Sequence, residues 1–158
     1  MMNAHEIFIR GEAALQKQLG QDEAVALATC GRDGVNVRSV NGYYEGGCVY
    51  VVTHESTHKM RDIAENPDAA LCKGLLCAKG TGVNLGNPLR QENLPLRQTL
   101  REIFVKFYSR HVNESDPQTC ILQVRLKTAA VFTGDTKYLL EFETKTGEAF
   151  PFVNDLVY

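Results

Sequence analysis

The chain has no excess of charge of either sign: 17 Lys and Arg stand against 19 Asp and Glu, for a formal net charge of −2. That leaves no basic field to hold a phosphate backbone, so no nucleic-acid partner is expected. Nor is there an apolar run approaching the roughly 18 residues of a membrane-crossing helix, so no membrane association is expected. The start, MMNAHEIFIRGEAALQ, carries charges throughout and lacks the apolar stretch of a secretory signal; the expected location is cytoplasmic. There is no C-x-x-C. The cysteines, Cys30, Cys48, Cys72, Cys77 and Cys120, are odd in number and irregularly spaced. Each sits in an apolar, strand-like stretch, which favours buried small hydrophobes in a reducing compartment over a disulfide framework or a cysteine metal site. Internal repeats and low-complexity segments are also absent, so residues 1–158 are read as a single domain. That length is enough to bury about 68–70% of the surface of the unfolded chain.

What is present is mostly strand pattern. Residues 3–19 predict a helix, with Ile7, Ala14, Leu15 and Leu19 on one face and Gly20 as the stop. Strand-like runs follow at 24–30, 35–44 and 48–53, separated by the turn signals GRDG and EGG. Ser56 to Glu65 predicts a short helix that ends at Asn66-Pro67. Residues 69–85 read as one bent strand or two short ones. Leu96, Leu100, Ile103, Phe104 and Phe107 mark a helix from about 95 to 111, opened by Pro95. After the loop VNESDP, the runs TCILQVRLKTAAVFT and KYLLEFET predict two further strands. Six or seven antiparallel strands with inserted helices imply a mainly β fold, and closure into a barrel removes its edges.

His54-Glu55-Ser56-Thr57-His58 has the form H-E-x-x-H. In a zinc hydrolase this motif needs both histidines on one face of one helix. Here CVYVVT runs directly into His54 and places it at a strand end. Ser56 and Thr57 favour a helix cap. Arg61 stands where the longer zinc-protease pattern needs Gly, and no third ligand is marked. No metal is therefore expected. The same residues also read as strand, turn and helix start. That arrangement offers unpaired N–H groups and a positive dipole end to an anion. Thr53, Ser56 and Thr57 add hydroxyls, Lys59 a point charge, His58 a hydrogen bond, and Arg38 in the neighbouring strand a guanidinium fork. A phosphate monoester suits this set. The alternative is that Arg38 and Lys59 are solvated surface charges and Ser56 only a cap.

The runs VALATCGRDGVNVRSV and VYVVTHESTHKMRDIAENPDAAL carry a further signal. A strand with an arginine, a hairpin, a strand ending in Thr, then S-x-x-K, a helix and N-P stand here as Arg38, Thr53, Ser56, Lys59 and Asn66-Pro67. This resembles the FMN-binding split-barrel family related to pyridoxamine 5′-phosphate oxidase. The resemblance implies a six-stranded split β-barrel with two to three peripheral helices, forming a homodimer with FMN at the interface. Arg38 and Lys59 would bind the FMN phosphate, with Thr53, Ser56 and His58 assisting. Ser39, Val40, Asn41 and the backbone at Val51 and Val52 would line the isoalloxazine ring. A second subunit would contribute from around Leu75 to Cys77. The chain departs from the oxidase in having NGYY where a second basic residue belongs and no Trp, so vitamin B6 oxidation is not what the resemblance implies. It implies an FMN-dependent oxidoreductase acting on a small molecule, with NAD(P)H as a candidate donor. The alternatives are a non-catalytic flavin- or haem-binding module and, furthest off, the zinc hydrolase. No catalytic acid or base stands out.

Overall fold

The computed structural model describes residues 1–153. Helix α1, Ala4–Leu19, starts at Asn3, whose side chain accepts from the Glu6 N–H while the Glu6 carboxylate accepts from the Asn3 N–H. This reciprocal cap satisfies two orphan donors of the first turn. Strands β1 (Glu23–Gly31), β2 (Gly34–Glu45) and β3 (Cys48–His54) form an antiparallel meander. Gly46 and Gly47 make the second hairpin turn, both with positive φ (56° and 85°), the two-residue geometry that matches strand twist. Helix α2 (His58–Glu65) leads into β4 (Asp68–Lys73) and β5 (Leu76–Gly86), then a 3₁₀ turn at Gln91–Asn93. Helices α3 (Leu94–Ile103) and α4 (Val105–His111) precede the long β6 (Thr119–Phe132), β7 (Thr136–Glu141) and β8 (Thr146–Pro151).

The sheet runs β3-β2-β1-β4-β5-β6-β7-β8, and β3 also pairs with β6. The first six strands in that order therefore close into the expected barrel, with Thr53 opposite Cys120 at the closing seam. Strands β7 and β8 extend it beyond β6. Inward-facing Val25, Leu27, Val49, Val51, Leu71, Ala78, Leu122 and Val124 fill the interior together with Leu15 and Leu19 of α1 and Met60 and Ile63 of α2. A second cluster lies outside the barrel, where Leu100, Phe104 and Tyr108 pack on Tyr43, Val52 and Ile121.

Three differences from the sequence reading have physical causes. The helix expected over 95–111 is two helices meeting at Phe104, although hydrogen bonds from Phe104 to Leu100 and from Tyr108 to Phe104 continue through the junction. Residues spaced by four drift about 40° around a regular helix, and the local rewinding coincides with keeping Leu100, Phe104 and Tyr108 together on the sheet. Of the two readings of 69–85, the structure takes the two strands. β8 was not foreseen, because TGEAFP is exposed at most positions and carries no alternation. The cysteines do lie in strands, but among them only Cys120 is buried; Cys77 is exposed and the other three are half-buried. No helix among the described residues is long and apolar enough to cross a membrane.

Candidate functional site

The β3–α2 junction is built by short-range hydrogen bonds. Thr57 occupies the cap position of α2, yet its hydroxyl turns back to the His54 carbonyl (2.8 Å) rather than to the helix. The Ser56 N–H and hydroxyl both meet His54 Nδ1, at 3.2 and 2.6 Å. With Nδ1 accepting from that N–H, His54 Nε2 carries the proton and donates to Asp116 Oδ2 at 2.9 Å. Neither hydroxyl caps α2; the Met60 and Arg61 amides donate to the Thr57 carbonyl (3.1 and 3.2 Å), which leaves the His58 and Lys59 amides of the first turn for a ligand.

A pocket of about 350 Å³ opens beside this junction, within the size range of small-molecule sites. Ser39, Val40 and Asn41 of β2, Val51, Val52, Thr53 and His54 of β3, Thr57 at the cap of α2 and Lys59 within it line one side. The other side comes from the end of α4 and the loop into β6: Phe107, His111, Val112, Asn113, Asp116 and Thr119. That loop is clamped by Glu114, which accepts from Arg97 at 2.7 and 2.8 Å and from the Tyr108 hydroxyl at 2.5 Å. The Arg97 guanidinium holds the Glu114 carboxyl below its usual range.

Arg38 sits behind the pocket wall. Its Nη1 donates to Thr29 Oγ1 (2.7 Å) and to the carbonyls of Leu27 and Asn36 (3.2 and 3.4 Å), and Nη2 lies 3.8 Å from Asp62. Asp62 is buried and accepts from Thr29 Oγ1 (2.7 Å) and Asn36 Nδ2 (3.1 Å), bonds that hold its carboxyl below the usual range. Nη1 is thus fully committed, whereas Nε and Nη2 donate to no group among the described residues. Lys59 is half-buried and makes no hydrogen bond or ion pair among them. Burial, and secondly the Arg38 charge, push its ammonium pKa down. Two cations act on each other here, and Asp62, the carboxylate beside Arg38, is shared with His58 and not with Lys59.

The structure thus gathers Ser39, Val40, Asn41, Val51, Val52, Thr53 and Lys59 around one pocket; Arg38 is not among its lining residues and acts on Lys59 through its charge. Ser56 and His58 are not among its lining residues. Ser56 is taken by His54. His58 turns toward Asp33 (3.3 Å) and Asp62 (3.4 Å). His54 and His58 therefore sit on different elements with different partners, not on one helical face as a zinc hydrolase requires. Asp33, His58 and Asp62 do offer ligand atoms within 4.8 Å of one another, but the Arg38 charge beside Asp62 opposes a cation there. The residues from 107 to 119 carried no sequence signal for the site. Only the β3–β6 pairing brings them across.

The chain matches no family model and no curated protein. Solved structures share its fold. General Stress Protein 26 from Bacillus anthracis superposes with a TM-score of 0.63 at 15% identity, covering 83% of this chain and 98% of that one. A putative pyridoxamine 5′-phosphate oxidase from Listeria innocua gives 0.59 at 14% identity, covering 80% and 98%. The haem storage protein HutZ from Vibrio cholerae gives 0.58 at 12% identity, covering 76% and 92%. The chain therefore has the split-barrel fold of pyridoxamine 5′-phosphate oxidase-like proteins.

Proposed function

We propose that the pocket binds FMN and that the protein is an FMN-dependent oxidoreductase of small molecules, with a reduced nicotinamide as the donor and a substrate other than pyridoxamine phosphate. The observation that carries this reading is the Arg38–Lys59 pair: two cations near the head of α2, of which Arg38 has only a loose ion pair with Asp62 (3.8 Å) and Lys59 has no hydrogen bond or ion pair among the described residues. A phosphate monoester carries a charge of about −1.5 to −2 and would relieve the repulsion between them. Thr53 and the His58 and Lys59 amides of α2 would complete its shell, while Ser39–Asn41 and the Val51–Val52 backbone would lie along the ring. FMN, when bound, supplies the hydride or electron transfer; the chain binds and orients it. The proposed assembly is a homodimer in the cytoplasm, with the ring between subunits.

A non-catalytic flavin- or haem-binding module is the second reading. It is favoured by His54, whose two ring nitrogens are both engaged and offer the pocket no free acid or base. Titration of purified protein with FMN, followed by visible absorption and gel filtration, tests the first reading. Bound flavin in the wild type is expected, with affinity about 10–100-fold weaker in Lys59→Ala, since a charged hydrogen bond contributes about 1.5–3 kcal/mol. Reduction of the bound flavin by NAD(P)H, with turnover on an added acceptor, separates enzyme from store. No binding by the wild type would sink both flavin readings.

A further inference from the structure

The β4–β5 hairpin presents two thiols side by side. Its turn is Gly74-Leu75, with Gly74 at φ 57° and Lys73 opposite Leu76. Glycine at the first central position is the mark of a type II′ hairpin. The pair flanking such a turn is hydrogen-bonded, and pairs alternate along an antiparallel ladder. The next pair, Cys72 opposite Cys77, thus falls at a non-hydrogen-bonded position, where Cα atoms are about 4.5 Å apart. Disulfides span Cα separations of about 4.4–6.8 Å. Both cysteines line one outward, apolar depression with Ala26, Ala28, Val37 and Ala70. Cys77 is exposed and Cys72 half-buried. Burial, and then the adjoining Cys72 thiol, push the Cys77 thiol up. The other cysteines are not paired this way: Cys30 faces Val35, Cys48 faces Glu45 and Arg125, and Cys120 faces Thr53.

We infer that Cys72 and Cys77 are a redox-active dithiol, converted by small-molecule disulfides into an intramolecular cross-strand disulfide. The Cys77 thiolate attacks one sulfur of the reagent, the reagent's S–S bond breaks, and one small thiol leaves. Cys72 then attacks Cys77 Sγ, the Cys72–Cys77 bond forms, and the second small thiol leaves. The protein gives up two electrons and two protons, and the reagent takes them up as two thiols. The loop closed is short and constrains the unfolded chain little. An exposed bond of this kind is labile and reversible rather than structural.

Trypsin cuts after Lys73, between the two cysteines, so the bond leaves a direct signature. The flavin-free chain is treated with oxidised glutathione, its remaining thiols are alkylated, and it is digested and weighed. The intact chain is expected to be lighter by two hydrogens, with two fewer alkylated thiols out of five. Peptide 62–73 is expected joined to peptide 74–79, and dithiothreitol should reverse every change. Cys72→Ser should lose the link and retain glutathione on Cys77. Five alkylated thiols after treatment, glutathione held on either cysteine of the wild type, or linkage to another cysteine or a second chain would each overturn the inference. It does not rest on the flavin reading, and flavin-free protein keeps the failure of one separate from that of the other.

Discussion

Where α3 and α4 cover β3 and β6, the barrel turns Val52 and Ile121 outward, and Leu100, Phe104 and Tyr108 bury themselves on these. Where β1, β2, β4 and β5 are bare, the outward positions hold Ala26, Ala28, Ala70, Cys72 and Cys77, with Val35 and Val37 standing 76% and 69% exposed. One sheet thus carries two solutions. Large side chains seat a helix and gain from burial; small ones keep a bare face flat and limit the apolar area in water. The pocket lies on the boundary, with β2 and β3 on one side and the end of the helical cover on the other.

The contrast breaks most visibly at Phe104, which is fully buried. Phe104→Ala should cost about 3–5 kcal/mol in urea unfolding, whereas Val37→Ala on the bare face should stay within about 0.5 kcal/mol. Equal effects would mean that the two faces are not differently built. A smaller loss is expected at the clamp that ties the helical cover to the pocket loop. Glu114→Gln removes the charge facing Arg97 and should cost about 1–3 kcal/mol, with faster amide exchange across residues 112–118.

Asp62, behind the pocket, sharpens the contrast through pH. Its folded carboxyl lies below the unfolded value of about 3.9. Its stabilisation is therefore present above that pH and fades as pH falls through the lower folded value. Asp62→Asn should flatten the acid limb of the stability profile, and an unchanged limb would assign it elsewhere. The smallest effect concerns Lys59. Its ammonium is held below its ordinary value in the folded chain, which costs stability at neutral pH. Lys59→Met should raise the Tm of the flavin-free protein by roughly 1–3 °C, even as it weakens the proposed binding of FMN.

Much of the architecture was legible locally. Asn3 and Gly20 bound α1, and the glycine turns fixed the first three strands, because caps and tight turns depend on a few adjacent residues. The break at Phe104 was not legible, since nothing in LREIFVKF breaks a helix. Lys59 reached the pocket as its place after a strand end implied. His58 precedes it by one residue, a turn of about 100° on a helix, which carries its ring to Asp33 instead. Asn113, Asp116 and Thr119 belong to the pocket only through a strand pairing that spans half the chain, and no local pattern announces that.

The closing seam between β3 and β6 also sets an order of events. Thr53 meets Cys120 only after α2, β4, β5, α3 and α4 have been laid down between them. Contacts so distant along the chain form slowly, because the loop must close before they give any return. The β1–β2–β3 meander can assemble early, but the pocket has no far wall until β6 docks. A ligand held between those walls cannot guide the first steps of folding; it can only slow the reopening of a barrel already closed.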